Sequence, residues 1–252
     1  MLRVDERNPR ARALWAGLSP LVQLDDLDPD ICVVVGGDGW LLRTVRELGQ
    51  DLVYLGLNAG TLGFLLNEVQ QDALEGLATQ LREQAWNIAQ FPLLAMSGVP
   101  YKDGPELMAT ALNDVYVERR TGQIAHLRLS VDGVVVVERL ACDGIIAATA
   151  LGSTAYSFSA GASPCHPALR AMQVTPICPH RPRLSPLTLP WGSVLDVEVL
   201  DPDRRPVRAV ADGEDQGRVR SLRVGPDGGS VKLAFLAGHD FTRTLVAKVL
   251  KV

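Results

Sequence analysis

The stretch Ile31-Cys32-Val33-Val34-Val35-Gly36-Gly37-Asp38-Gly39-Trp40 decides the fold of the first third of the chain. A β-branched run, Ile31 and Val33 to Val35, passes directly into a glycine turn. Leu41, Leu42, Val45 and Leu48 follow at helical spacing. Strand, glycine turn and helix make a phosphate-binding arrangement. Glycines admit an anion close to the backbone, and the helix start offers N–H groups and the positive end of its dipole. Gly36, Gly37 and Gly39 are therefore the expected phosphate-binding residues. Asp38 is the oddity, because a carboxylate in a phosphate cradle repels phosphate. It makes sense if a metal ion lies between the two, or if it holds the hydroxyl that attacks, as a kinase requires. The plain alternative is that Asp38 caps the adjoining helix.

Working outward, a second strand over Leu52 to Leu57 ends in Asn58-Ala59-Gly60-Thr61-Leu62-Gly63-Phe64-Leu65. Ligands of open α/β sheets bind outside the carboxyl ends of strands, where both glycine stretches fall. Phe64 either covers a base or ring of such a ligand or is a core aromatic under a loop. Residues 5–18 predict one helix, and Asp72 to Gln84 another with Leu74, Leu77, Ala78 and Leu81 on one face. An acidic loop, Asp25 to Asp30, precedes the first strand.

The texture changes near Phe91-Pro92. From there to about Leu236 apolar residues recur with period two between turn residues, which predicts an all-β domain. One hairpin is well signalled: Leu127, Leu129 and Val131 alternate with polar neighbours, Asp132-Gly133 turns, and Val134 to Val137 returns. Further strands are expected at Val194 to Leu200, Val207 to Ala211, Val219 to Val224 and Val231 to Leu236. Five prolines between Pro176 and Pro190 predict an extended, ordered loop. Phe241, Leu245, Val246, Val249 and Leu250 recur at helical spacing. The division is an α/β domain over residues 1–91, completed by 239–252, and an all-β domain over 92–238.

The totals exclude several classes. The chain has 252 residues, 47% of them hydrophobic, enough for one large or two ordinary domains with a substantial core. A net charge of −4 argues against general nucleic-acid binding, which needs a basic excess. No apolar run reaches the roughly 18 residues of a membrane span. The start MLRVDERNPRAR has no signal-peptide core behind it, so no membrane partner is expected. Cys32, Cys142, Cys165 and Cys178 are dispersed and lack metal-ligand spacing. They read as reduced thiols in a cytoplasmic protein, and no protein metal ligand is expected.

Two further stretches carry polar chemistry. Asn113-Asp114 starts a strand, where adjacent side chains point to opposite faces; alone the pair reads as a turn or strand cap. Asp143 to Ser157 is denser. A strand, Ile145 to Ala148, ends in a turn whose Ser153, Thr154 and Tyr156 hydroxyls suit the edge of a base and its ribose. No Gly-x-Ser-x-Gly nucleophile is present, so a hydrolase triad has no anchor. Among the histidines only His126 draws interest, because it follows the Asn-Asp pair on the next strand.

Together these stretches resemble the NAD kinase family from Ile31 to at least Asp212. Gly36-Gly37-Asp38-Gly39, Asn58 to Leu65, Asn113-Asp114, Asp143 to Ser159 and Val174 to Pro190 occur in the family's order. Similar glycine turns occur in lipid kinases and phosphofructokinases; the block Gly152-Ser153-Thr154-Ala155-Tyr156-Ser157 is far more specific. The resemblance implies a Rossmann-like N-terminal α/β domain, an all-β domain, and a C-terminal helix packing back on the first. It also implies transfer of the terminal phosphoryl of ATP, or of polyphosphate, with Mg²⁺, to the 2′-hydroxyl of the adenosine ribose of NAD, giving NADP. Asp38 is then the proton acceptor. Asp38, Gly39, Phe64, Asn113, Asp114, Thr154, Ala155, Tyr156, Ser157 and Ser159 fall on the NAD side, with Cys178 near the nicotinamide end and His126 as a basic contact. Glu214, in Asp212-Gly213-Glu214, stands where the family has Gln. Asp143 matches a carboxylate that reaches NAD in a neighbouring subunit, implying a homodimer or homotetramer.

The chain departs from the family at Trp40 and Leu151, each in place of Thr, at Cys142, where Gly is frequent, and at Ala141, where a basic residue is frequent, with Arg139 close by. These changes fall mainly on the phosphate-donor side. Two other classes compete with an active kinase: a dinucleotide-binding sensor that has lost transfer, which Trp40 supports, and a lipid or sugar kinase sharing only the glycine turn.

Overall fold

A computed structural model describes residues 1–23, 27–59 and 63–250. The chain forms two compact units, Met1–Phe91 with Ser230–Val252, and Pro92–Gly229. Asp25 and Asp26 of the acidic stretch, Gly60 to Leu62 of the second glycine stretch, and residues 251–252 lie outside the described residues.

The first unit opens with β1 (Leu2–Val4) and α1 (Pro9–Leu18). The helix starts at Pro9, later than residue 5. Asn8 caps it by accepting from Arg10 and Ala11 N–H at 3.0 and 3.4 Å, and proline suits a first helical turn. Next come β2 (Ile31–Gly36), α2 (Asp38–Leu48), β3 (Val53–Asn58), β4 (Asn67–Glu68), α3 (Leu74–Arg82) and β5 (Trp86–Pro92). Strands β1, β2 and β3 run parallel, with Gly36 beside Asn58. Every residue of β2 and β3 is buried, as expected of parallel strands covered on both faces. Ala11, Leu14 and Leu18 of α1 and Leu77, Ala78 and Leu81 of α3 pack with Val33, Val35, Leu55 and Leu57. Each large apolar side chain buried this way contributes about 1.5–3 kcal/mol.

The second unit is built from β6 (Leu94–Pro100), β7 (Leu107–Ala111), β8 (Asp114–Arg119), β9 (Ala125–Val131), β10 (Val134–Cys142), β11 (Gly144–Thr149), the short helix α4 (Tyr156–Ser159), β12 (Ala171–Ile177), β13 (Leu187–Pro190), β14 (Leu195–Leu200), β15 (Val207–Ala211) and β16 (Glu214–Gly225). Its strands follow the order β10-β9-β14-β16-β15-β8-β11-β12-β13, with β6 beside β16 and β7. Leu127, Leu129 and Val197 from one end share a single core with Val117, Ile145 and Val174 from the other, so the sheet curls on itself. The Asp132-Gly133 hairpin forms as expected, with Val134 opposite Val131.

The proline-rich stretch corrects the expectation of a loop. Pro176 lies inside β12, opposite Ile145 of β11. On the other flank β13 pairs only as far as Val174, so at Pro176 that side has no ladder to break. Pro190 ends β13 itself, an edge strand.

The chain then returns to the first unit as β17 (Ser230–Leu236) and α5 (Phe241–Leu245). This corrects the boundary at 238, because β17 pairs in parallel with β3 and stands between β3 and β5 in the first sheet. Period-two alternation announces a strand and says nothing about which sheet receives it. Asn67 helps to fix the strand: its amide donates to Gly56 and Ala234 carbonyls and accepts from Leu236 N–H at 2.8 Å. Phe241 stacks edge-on against Phe91 and Phe235, tying α5 to this unit. No helix among the described residues is long and apolar enough to cross a membrane.

Candidate active site

In the first unit, β2 delivers the glycine turn and β3 the second glycine stretch. Register puts Gly36 beside Asn58, and Ala59 N–H donates to the Gly36 carbonyl at 3.0 Å. The N-cap of α2 is Gly37, in extended conformation; Asp38 is the first helical residue. Its carboxylate reaches across to the other stretch, accepting from Phe64 N–H at 2.8 Å and Leu65 N–H at 3.2 Å. Capping of its own helix, the plain alternative, is therefore not its principal work. Gly63 makes the approach possible: a Cβ there would stand 3.0 Å from the Asp38 oxygen and 3.2 Å from Asn58 Nδ2. Phe64 is half-buried, while Leu65 and Leu66 are core.

The glycines of the turn divide by role. A Cβ on Gly36 would lie 2.8 Å from the Trp40 ring, so Gly36 is required by packing. Among the described residues, a Cβ on Gly37 or Gly39 would meet nothing within 4 Å. Trp40 is directed toward β1, its indole N–H pointing at the Arg3 carbonyl at 3.5 Å, with the Arg43 guanidinium 5.7 Å from the ring centre.

In the second unit, β8 begins at Asp114 and β11 ends at Thr149, and the two ends are bolted together. Thr149 N–H donates to the Asn113 carbonyl at 2.9 Å, and its hydroxyl donates to Leu112 O at 2.7 Å while accepting from Gly152 N–H at 2.9 Å. A Cβ on Gly152 would fall 2.0 Å from the Asn113 carbonyl oxygen, so only glycine fits. Opposite, Asp212 in the β15–β16 turn accepts from Leu112, Asn113 and Asp114 N–H at 2.7, 2.8 and 3.2 Å. Asn113 Oδ1 is buried with no hydrogen-bond partner among the described residues. Asp114 is 5% exposed, and burial, then the charge of Asp212, pushes its carboxyl up to about 7 against the opposing pull of the Tyr156 N–H. This pair is more than a strand cap: one member has an orphaned acceptor, the other a proton available near neutrality.

The hydroxyl-rich turn sorts into outward and inward members. Thr154, Ala155 and Tyr156 are half-buried and Ser159 is exposed, with Tyr156 edge-on to Tyr116 at 5.1 Å. Burial raises the phenols of both tyrosines. Ser157 is fully buried, bonded to Thr175 at 2.7 Å and Gln173 at 3.3 Å. Ser153 is also internal, donating to Ala150 O and accepting from Cys165 N–H. Leu151 is a core side chain, 4% exposed. Cys142 is core as well, its thiol pushed up to about 12 by burial.

Four expected residues have unanticipated settings. His126 is buried on β9, where burial and then Arg205 and Arg139 lower its pKa, and Arg139 donates to Nδ1 at 2.9 Å. These surroundings disfavour the charged form of the ring. Asp143 is paired with Arg119 at 2.6 Å within its own chain. Cys178 is exposed just beyond β12, at a φ of 44°. Glu214 is exposed at the start of β16. Sequence reasoning missed Asp212, Thr149 and Arg119. An Asp-Gly pair between strands reads as a hairpin turn, and Asp212 and Gly213 do have positive φ, which conceals the carboxylate's second task.

Comparison with known proteins follows these two halves. The model of the ATP-NAD kinase N-terminal domain matches residues 17–85, and that of the ATP-NAD kinase C-terminal domain matches residues 112–221. An NAD kinase of Zymomonas mobilis is 36% identical over 230 residues, 89% of this chain and 86% of its own. An NAD kinase of Hyphomonas neptunium is 37% identical over 222 residues, covering 84% and 82%. Among solved structures, an Archaeoglobus fulgidus NAD kinase in complex with ATP superposes with a TM-score of 0.76 at 26% identity, covering 97% of this chain and 96% of that one. Yeast NADH kinase complexed with NADH gives 0.77 at 26% identity over 88% of this chain, which spans 65% of the yeast chain.

Proposed function

The chain belongs to the NAD kinase family, and from that premise we propose how its own residues carry out ATP-dependent phosphorylation of NAD. The phosphoryl acceptor is the 2′-hydroxyl of the adenosine ribose, and the product is NADP. The observation that carries the reading is the placement of Asp38: a carboxylate at the start of a helix behind an open glycine turn, clamped to the Phe64–Leu65 backbone. Gly36, Gly37 and Gly39 take the donor phosphates, and among the described residues a Cβ at either of the last two would meet nothing within 4 Å. Asp38 orients the 2′-hydroxyl. As the new O–P bond forms and the bond to the terminal phosphorus breaks, ADP leaves and the hydroxyl proton passes to Asp38. A carboxylate is a far weaker base than a sugar alkoxide, so Asp38 positions first and accepts the proton late.

Asn113, Asp114, Thr154, Ala155, Tyr156 and Ser159 bind NAD, with Gly39, Phe64, Cys178 and Glu214 as further contacts. Ser157 supports the turn from within, and His126 is a further NAD contact. Among the described residues no three His, Cys, Asp or Glu side chains converge as a metal site. The divalent metal such a kinase uses, Mg²⁺ in this reading, is carried in with ATP, whose phosphate charge it would neutralise. We assign the protein to the cytoplasm as a homodimer or homotetramer, in which Asp143 exchanges Arg119 for the NAD of a neighbouring subunit; light scattering tests the assembly.

The experiment is Asp38→Asn in steady state. The expected result is a fall in kcat of ~10²–10⁴ with the KM for NAD nearly unchanged, the scale of a lost acid–base group. Weak NAD binding with unchanged turnover would refute the role.

A further inference from the structure

We propose that Asp212 is a positioning residue for NAD binding: its carboxylate clasps the Leu112–Asp114 backbone, and its charge sets which protonation state Asp114 presents to the ligand. The inference rests on the assignment of Asn113 and Asp114 to NAD and goes one layer behind them.

The geometry is reciprocal. Three successive N–H groups, of Leu112, Asn113 and Asp114, donate to the Asp212 carboxylate, and Asp212 N–H donates back to the Asp114 carbonyl at 3.0 Å. Successive residues of a regular strand cannot send their N–H groups to one point; the convergence requires the chain to curl around the carboxylate just before β8. Asp212 itself has a φ of 45°, a left-handed conformation that strains a non-glycine residue. The clasp therefore offsets local backbone strain, and it sets the direction in which Asn113 and Asp114 leave the backbone.

The same placement brings the charge of Asp212, itself half-buried, to bear on the buried carboxyl of Asp114. Two such groups close together do not both ionise readily, and the proton goes to the one with fewer donors. Asp212 has three backbone donors around its charge. Asp114 has the Tyr156 N–H and is otherwise desolvated. Its register neighbour on β11 is Ala148, and β15 brings Ala211 alongside Val115, so neither flanking strand adds a charge there. The titratable groups facing it are Asp212, Tyr116 and Tyr156, with Glu118 farther along β8 held by Arg208. The proton therefore belongs on Asp114, which then meets the ligand as a hydrogen-bond donor and, once deprotonated, as an acceptor only.

The test is the dissociation constant of NAD from about pH 5.5 to about pH 8.5 for the wild type, Asp114→Asn and Asp212→Asn. Wild-type affinity should change with a midpoint near 7. Asp114→Asn should lose that step, and Asp212→Asn should move it to lower pH, because a like charge has gone. An unmoved midpoint in Asp212→Asn, or a step that survives in Asp114→Asn, overturns the proposal. Carboxyl ¹³C titration of the unliganded wild type keeps the test independent of variant folding. The resonance lost in Asp114→Asn should titrate near 7, and titration of Asp212 in its place overturns the proposal. Failure of the wild type to bind NAD overturns the NAD assignment and the proposal with it. That failure is distinguishable, because the carboxyl titration is read without ligand.

Discussion

Replacing Gly152 with alanine adds one methyl group at the point where the hydroxyl-rich turn rests on the Asn113 backbone. The new Cβ would stand 2.0 Å from the Asn113 carbonyl oxygen, 2.4 Å from its carbon and 2.6 Å from its Cα. Comfortable contacts are about 3.5 Å, so the turn must withdraw by more than about 1 Å. The obstacle is backbone and cannot rotate aside. Withdrawal also strains the bonds of Thr149, whose hydroxyl accepts from Gly152 N–H and whose own N–H holds Asn113 O. Overpacking typically costs ~1–3 kcal/mol, and a rigid obstacle with two bonds at stake belongs at the upper end. About 3 kcal/mol lowers the melting temperature of a chain this size by roughly 6–12 °C. Whatever part appears as displacement of Asn113 and Asp114 raises the KM for NAD, tenfold for each ~1.4 kcal/mol. Calorimetry and steady-state kinetics read the two, with Gly122→Ala as control, where a Cβ meets nothing within 4 Å among the described residues. Wild-type melting and wild-type KM in Gly152→Ala would mean that the turn does not rest on the Asn113 backbone.

Asp114→Asn should stabilise the protein in a pH-dependent way. The folded carboxyl titrates at about 7 against an ordinary 3.8, so its charge costs nothing below about pH 4, an increasing amount up to 7, and a constant amount above. Urea unfolding should show a gain of up to roughly 4 kcal/mol at pH 8 that vanishes at pH 4; an equal gain at both would contradict the burial argument. Trp40→Thr removes the indole from Gly36 and from the Arg3 carbonyl. Because Trp40 is half-exposed, the expected loss is about 1–2 kcal/mol, below the range for a fully buried Trp, accompanied by a changed KM for ATP and an unchanged KM for NAD. Asn67→Leu leaves the Gly56 and Ala234 carbonyls and the Leu236 N–H without their partner; at ~1–3 kcal/mol for each buried group, chemical denaturation should show a loss of several kcal/mol, and amide exchange at Leu236 should accelerate.

What the sequence discloses is local. Branched residues running into Gly36-Gly37-Asp38-Gly39 specify a strand, a turn and a helix because each depends on neighbours in the chain. The Asp132-Gly133 hairpin is legible for the same reason. Sheet membership is not local: the strand over Ser230–Leu236 has the same alternation as those before it, and only its pairing with β3 assigns it to the first unit. Pro176 misleads because the rule against proline in strands concerns a lost donor, and here the flanking strand has already ended. In the site, residue types that announce chemistry, such as Asp38 and the Asn113-Asp114 pair, were legible. Their supports were not. Asp212 and Thr149 act on backbone groups about a hundred and about forty positions away, and no spacing rule connects them. His126 shows the converse, since its type suggests a cation while its burial, then Arg205 and Arg139, disfavour the charged form.

The central claim is that Asp38 serves an enzyme that makes NADP. The direct measurement is NADP formation by purified protein given NAD, Mg²⁺ and either ATP or polyphosphate, with Asp38→Asn alongside. The wild type should yield NADP and the variant a rate lower by ~10²–10⁴, with NAD still bound. Tight NAD binding without NADP from either donor, or wild-type turnover in Asp38→Asn, would contradict the claim.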